Sequence, residues 1–97
     1  MMMRKEMIGK NGRIERKYDD GTVVHIFANG TTKEVRQDGQ ITFNYCNGDT
    51  KQVMPDGLAI YHFYGAKTSQ VTQPDGVIIY KSPESILIAG RKNSRRP

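Results

Sequence analysis

Few residues of this chain have the types and spacing needed for chemistry. Its 97 residues include two histidines, a single cysteine and no tryptophan. Cys46 alone cannot form an internal disulfide or a two-cysteine metal site, and it favours a reducing, intracellular compartment. The carboxylates of Asp20, Asp38, Asp56 and Asp75 each precede a glycine, which is a turn signature rather than a catalytic one. We therefore expect no enzyme, no metal site and no cofactor.

Turn dipeptides recur at a fixed interval. Asn-Gly or Asp-Gly begins at positions 11, 20, 29, 38, 47, 56 and 75, and the first six are nine residues apart. The segments between them are rich in β-branched and aromatic residues and are too short for ordinary helices. This pattern predicts an all-β fold, a free-standing single-layer antiparallel β-meander of about eight to ten strands. Its two-residue turns would be of type I′, with positive φ at both central residues.

The predicted turns set a register, and the register sorts side chains onto two faces. A two-residue turn pairs the residue before it with the residue after it, so Ala28 should face Thr31 and Val24 should face Val35. Carried across the sheet, this register places most of the aromatic residues on one face: Tyr18, Phe27, Phe43, Tyr45, Tyr61 and Phe63. The same face would carry Glu34, Thr50 and Gln52, with Arg16 and Arg36 as its few basic residues. Lys33, Lys51 and His62 would lie on the opposite face from His25.

No segment remains to cover either face, so the sheet should be wet on both sides. The aromatic residues could simply stabilise it through cross-strand pairs. They could also bind a polyproline II peptide, because proline rings stack on aromatic rings and polar side chains bond the bare carbonyls of the ligand. The candidate peptide-binding residues are Phe27, Glu34, Phe43, Tyr45, Thr50, Gln52, Tyr61 and Phe63. Base stacking ranks lower because the predicted face has few basic residues.

The net charge of +5 is concentrated at the two ends of the chain. Residues 1–17 and 90–97 carry most of the basic groups, and the middle is mildly acidic. Basic ends are usually solvated, so nucleic acid is an unlikely partner. No apolar run approaches the roughly 18 residues of a membrane span. We expect one domain over residues 1–90 and a basic tail over 91–97.

Four stretches resemble a known family. They are residues 29–35 (NGTTKEV), 45–57 (YCNGDTKQVMPDG), 60–64 (IYHFY) and 72–76 (TQPDG). Over roughly residues 14–80 the chain resembles the G-box, the C-terminal domain shared by the T-complex protein 10 family and centromere protein J, the Sas-type centriole assembly factor.

The resemblance implies a function and a place in the cell. It implies a free-standing sheet that binds a proline-rich, arginine-containing motif of a centriolar scaffold protein of the SCL-interrupting locus type, in the cytoplasm at the centriole or centrosome. The contact residues of the family match Tyr45 and Tyr61 here. The alternative is a structural protein that self-assembles through exposed edge strands, for which residues 3–10 and 85–89 are the candidates.

Overall fold

The described residues form a single antiparallel sheet whose strands follow the order of the sequence. The computed structural model describes residues 2–84 and 86–91. The sheet has ten strands, so the predicted all-β meander is confirmed. The strands are β1 (Met3–Ile8), β2 (Ile14–Tyr18), β3 (Val23–Ile26), β4 (Thr32–Val35), β5 (Ile41–Asn44), β6 (Thr50–Val53), β7 (Ala59–Phe63), β8 (Thr68–Thr72), β9 (Val77–Lys81) and β10 (Ile86–Arg91).

The sheet has no second layer. Among residues 2–84 and 86–88 no apolar side chain is buried, and the buried polar residues are Thr22 and Thr31. The prediction of a sheet that is wet on both faces is therefore confirmed. Stability must come from the backbone ladder and from pairs of side chains on neighbouring strands, each pair contributing about 0.2–1 kcal/mol.

No helix within the described part of the chain is long and apolar enough to cross a membrane.

The recurring turns have three loop residues rather than the predicted two. Between β3 and β4, the Gly30 N–H donates to the Phe27 carbonyl at 2.9 Å and the Phe27 N–H donates to the Thr31 carbonyl at 2.8 Å. Gly30 has a φ of +94°, whereas Asn29 is not among the residues with positive φ. This is a type I turn followed by a glycine bulge. The Asn29 Oδ1 atom accepts the Thr31 N–H at 2.9 Å.

The same turn recurs five more times, with Asn or Asp in the same role. The carboxylates of Asp20, Asp38, Asp56 and Asp75 each accept the backbone N–H two residues on, at 2.9–3.0 Å. For Asp20, this hydrogen bond from Thr22 lowers the pKa of the carboxyl group. The turn role assigned to these aspartates from the sequence is confirmed.

Two prolines show why the three-residue turn forms. Pro55 and Pro74 each stand directly before Asp-Gly, at the first loop position. A type I turn requires a φ near −60° there, which the proline ring supplies, and the missing N–H is not needed for the ladder. The predicted type I′ geometry occurs at the first turn, where Asn11 and Gly12 both have positive φ (64° and 75°).

The extra loop residue corrects the register by one. Val35 pairs with Val23, not with Val24, and Ile26 rather than Phe27 pairs with Thr32. A shift of one residue moves a whole strand to the other face, because side chains alternate along a strand. Two successive shifts restore the original face. The side chains of β3, β5 and β7 therefore keep their predicted faces relative to one another, whereas those of β2, β4 and β6 change faces.

The predicted face therefore holds for some residues and is wrong for others. Phe27, Phe43, Tyr45, Tyr61 and Phe63 belong to β3, β5, β7 and the residues that follow them, and they share a face as predicted. The residues wrongly predicted to lie on this face are Arg16, Tyr18, Glu34, Arg36, Thr50 and Gln52, all of which the corrected register places on the opposite face.

Both ends of the sheet are exposed strands with large apolar side chains. Ile8 in β1 is 75% exposed, and Ile86 and Ile88 in β10 are 68% and 66% exposed. Both edge strands were predicted. Ser85, the first residue of the second predicted strand, lies outside the described residues, as do residues 92–97 of the predicted basic tail. Arg91, the first residue of that tail, belongs to β10.

Candidate functional site

Four aromatic rings form a continuous row on one face, which we call the aromatic ladder. The ladder comprises Phe43, Tyr45, Tyr61 and Phe63. The Phe43 and Tyr45 ring centroids are 5.7 Å apart with planes only 3° from parallel, and Tyr45 lies 5.7 Å from Tyr61. Tyr61 and Phe63 are 4.8 Å apart. These separations lie within the range of favourable ring pairs, so the ladder is both a stabilising feature and a preformed surface. All four side chains are half-buried.

The register explains why the ladder forms. Phe43 and Tyr45 are two residues apart along one strand direction, and so are Tyr61 and Phe63, so each pair lies on one face. Strand β6 lies between β5 and β7. It places Lys51 directly beside Phe43 and Tyr61, and the contact between the Tyr45 and Tyr61 rings crosses this strand.

Asp49 holds the ladder in place from the turn beside it. The Tyr61 hydroxyl donates to Asp49 Oδ2 at 2.6 Å, and the Tyr64 N–H donates to Asp49 Oδ1 at 2.7 Å. The hydrogen bond from Tyr61 is the largest cause of the lowered pKa of Asp49, and the same bond raises the pKa of Tyr61 to about 12. Sequence reasoning missed Asp49. The available signal was an acidic residue directly after Asn47-Gly48, where the preceding copy of the repeat has Thr31.

Two lysines flank the first ring of the ladder. Lys33 in β4 and Lys51 in β6 pair directly with Phe43 on either side. Their ammonium groups lie 5.6 and 6.0 Å from the centroid of that ring, within cation–π distance. The sequence placed both lysines on the opposite face, and that prediction is wrong for the register reason given above. The aromatic face is therefore basic, and the argument that ranked base stacking low for want of basic residues fails.

Phe27 lies on the same face but has its own neighbours. The Arg13 guanidinium lies 4.9 Å from the centroid of the Phe27 ring. Arg13 Nη2 also donates to His25 Nδ1 at 3.2 Å, which requires that nitrogen to be unprotonated. Burial lowers the pKa of His25, and the Glu15 carboxylate, 3.9 Å away, opposes this in part.

The polar residues predicted for the peptide site occupy the other face with partners of their own. Glu34 lies 3.9 Å from the Arg36 guanidinium. Thr50 pairs with Asn44 and His62, and Gln52 with Thr42 and Ile60. Polar residues that do accompany the ladder include Lys33, Asp49, Lys51, Thr68 and Gln70.

A shallow groove adjoins Tyr61 on the aromatic face. Its volume is about 260 Å³, and its lining includes Lys51, Val53, Ala59, Gln70 and Thr72. A mixed lining, with apolar Val53 and Ala59 beside the donors of Lys51 and Gln70, suits an extended peptide whose carbonyls need donors.

The other residues with chemical potential are dispersed. His25 and His62 lie on opposite faces, as predicted. His62 Nδ1 is 3.1 Å from the Ser69 hydroxyl. Cys46 lies in a turn rather than in the predicted strand, and its N–H donates to Thr31 Oγ1 at 3.2 Å. The described residues contain no group of three or more His, Cys, Asp or Glu residues that could hold a metal ion.

The fold is that of solved G-box, or TCP, domains. The TCP domain of SAS-4 from Drosophila melanogaster, solved in complex with a proline-rich motif of Ana2, has a TM-score of 0.69 and 26% identity over 81% of this chain and 53% of that chain. The G-box domain of the microcephaly protein CPAP has a TM-score of 0.59 and 21% identity over 88% of this chain and 64% of that chain. The chain thus spans about half of the SAS-4 chain and less than two thirds of the CPAP chain. No protein-family model and no curated protein matches it in sequence. The resemblance predicted from the sequence is confirmed in the fold.

Proposed function

We propose that this protein is a non-enzymatic interaction module whose aromatic face binds a proline-rich peptide. The aromatic ladder is the observation that supports this most. Four adjoining rings lie on a face that no other described element covers. The SAS-4 domain with the same fold was solved with a proline-rich motif of Ana2.

The chemistry of the face suits a polyproline II ligand. Such a ligand has no internal hydrogen bonds, so its carbonyls need donors, and its proline rings need flat apolar partners. The ladder supplies the flat partners, and Lys51 and Gln70 beside the groove supply N–H donors. Because Asp49 and Tyr64 fix the orientation of Tyr61, little side-chain freedom is lost on binding.

The partner and the location are proposed from the likeness. We propose that the peptide belongs to a centriolar scaffold protein of the SCL-interrupting locus type, and that the protein acts at the centriole or centrosome in the cytoplasm. The complex of the SAS-4 domain with a motif of Ana2 supports this part of the proposal.

The test is a titration of a synthetic proline-rich peptide against two variants that differ in face. Tyr45→Ala removes a ring that contacts both Phe43 and Tyr61. We expect it to weaken binding by about 1–3 kcal/mol, as truncation of a central contact residue does. Gln52→Ala is the control, because Gln52 is exposed on the opposite face, and its affinity should equal that of the wild type.

Circular dichroism establishes that both variants remain folded. If Tyr45→Ala unfolds the sheet, Phe63→Ala at the end of the ladder takes its place, since that ring contacts Tyr61 alone within the ladder. Equal affinity of the ladder variant and the wild type would contradict the proposed site.

A second function is favoured by the terminal strands. Strands β1 and β10 are the two edges of the sheet, and both carry exposed apolar side chains. An exposed edge strand can pair with a strand of another molecule. Self-assembly through these edges predicts a particle size that grows with concentration in light scattering. Ile88→Pro, which removes a backbone donor from the outer edge of β10, should abolish that growth, whereas Thr42→Ala in the sheet centre should not. A concentration-independent monomer would exclude this function.

A further inference from the structure

Two lysines give the aromatic face positive charge beside its first ring, and this charge affects which peptides the face can bind. Lys33 and Lys51 lie on either side of Phe43, each within about 6 Å of the ring centroid. Among residues 2–84 and 86–88, neither lysine takes part in an ion pair of 4 Å or less.

The acidic residues of this face are already engaged elsewhere. Asp49 accepts hydrogen bonds from Tyr61 and Tyr64. Glu15 in β2, near the β1 edge of the sheet, lies 3.9 Å from both His25 and Lys17. The two lysines beside Phe43 therefore present positive charge that no described acidic group pairs with.

We propose that the aromatic face selects proline-rich segments that carry an aspartate or glutamate beside their prolines, and that Lys33 and Lys51 bind this carboxylate over Phe43. The inference rests on the function proposed above and adds the charge of the ligand to it. Glu34, a candidate peptide-binding residue from the sequence, lies on the other face.

The geometry suits one carboxylate between two ammonium groups. Strands β4 and β6 are separated by β5, so their backbones are about 10 Å apart, and both lysine side chains lean over the ring between them. A ligand that crosses Phe43 would place a neighbouring carboxylate within reach of both. The lysines are half-buried, so a salt bridge there is screened less than one at a fully exposed site.

Basic residues among aromatic rings also suit single-stranded nucleic acid, but the ring spacing favours a peptide. Phe43 and Tyr45 are nearly parallel with centroids 5.7 Å apart. A base inserted between two rings needs about 7 Å, twice the stacking distance of nucleic-acid bases. A base therefore cannot insert between Phe43 and Tyr45. Arg13 also occupies one side of the Phe27 ring.

The experiment compares three peptides on three proteins. The peptides are synthetic proline-rich 12-mers, identical except that one position between prolines is Glu, Gln or Lys. The proteins are the wild type, the double variant Lys33→Gln/Lys51→Gln, and Lys81→Gln as the control. Lys81 is exposed and lies on the opposite face. Affinities are measured by titration at low and high salt, with circular dichroism as the folding check.

We expect the wild type and Lys81→Gln to bind the Glu peptide about five- to ten-fold more tightly than the Gln peptide, and the Lys peptide less tightly than either. The preference should shrink at high salt. The double variant should bind the Gln peptide with unchanged affinity and show no preference for Glu.

Two outcomes overturn the inference. Equal affinity for the Glu and Gln peptides contradicts it while leaving the proposed peptide site intact, whereas no binding of any peptide contradicts the proposed function itself. A poly-dT oligonucleotide serves as a further arm. Tighter, salt-sensitive binding of this oligonucleotide than of the Glu peptide would assign the lysines to nucleic acid instead.

Discussion

Gly48 offers the sharpest test of how the turns support the site. It lies in the turn between β5 and β6 with a φ of +97°, and a Cβ atom there would meet the Tyr64 ring at 2.7 Å. Gly30 occupies the same place in the preceding copy of the turn, with a φ of +94°, but its Cβ would come no closer than 4.0 Å to Cys46. Gly48→Ala and Gly30→Ala therefore share the backbone strain and differ in the collision.

The backbone strain and the collision with Tyr64 each lower the free energy of unfolding, and the two contributions can be separated. Alanine in a left-handed conformation costs roughly 1–2 kcal/mol, and both variants should lose this much stability. Gly48→Ala must also displace the Tyr64 ring close to its attachment point, although the side chain is 72% exposed. Overpacking of this kind adds typically about 1–3 kcal/mol, and here we expect the lower end because the ring can move into solvent.

Chemical denaturation measures the difference. Gly48→Ala should be less stable than Gly30→Ala by about 1 kcal/mol or more. Combining Gly48→Ala with Tyr64→Ala should remove this excess, as a double-mutant cycle reveals. Equal destabilisation of the two glycine variants would refute the argument that the turn packs against Tyr64.

Two further predictions concern the titrating groups of the aromatic face. Tyr61 should ionise near pH 12 in an ultraviolet titration, and Asp49→Asn should lower its pKa, because the carboxylate that favours the protonated phenol is then absent. An unchanged titration curve in Asp49→Asn would contradict the Tyr61–Asp49 bond. The folded state lowers the pKa of His25 below its ordinary value of 6.5, chiefly through burial. Its contribution to stability is therefore present above that pH and lost as the pH falls through the folded value. The wild type should lose more stability than His25→Gln between about pH 7.5 and pH 5.5; equal losses would exclude His25 as the cause.

Much of the fold could be predicted because its signal is local. The turn dipeptides at positions 11–12 and 29–30 have side chains and φ preferences that reverse the chain wherever they occur. The segments between them allow only strands. The order of the ten strands follows directly, since each turn joins neighbours.

The register was harder because Asn-Gly and Asp-Gly fit two kinds of turn. Both a two-residue and a three-residue loop accept a glycine with positive φ, and they differ by one residue in pairing. Pro55 and Pro74 could have decided the matter, because proline before Asp-Gly fits the first loop position of the longer turn.

The composition of the site shows what a register error changes and what it does not. Phe43, Tyr45 and Tyr61 lie on one face in both registers. Two turns separate β5 from β7, and two shifts of one residue each return a strand to its original face. Lys33 and Glu34 exchanged faces because a single turn separates their strand from Phe27. The role of Asp49 depends on contacts with Tyr61 and Tyr64 across the sheet, which no local pattern specifies.

Intermolecular nuclear Overhauser effects are the most direct measurement of where a peptide lies. The isotope-labelled protein is mixed with an unlabelled proline-rich peptide, and contacts from proline ring protons are assigned. The account predicts contacts to the rings of Phe43, Tyr45 and Tyr61 and none to Gln52 or Ile60. Contacts confined to those last two residues, on the opposite face, would contradict it.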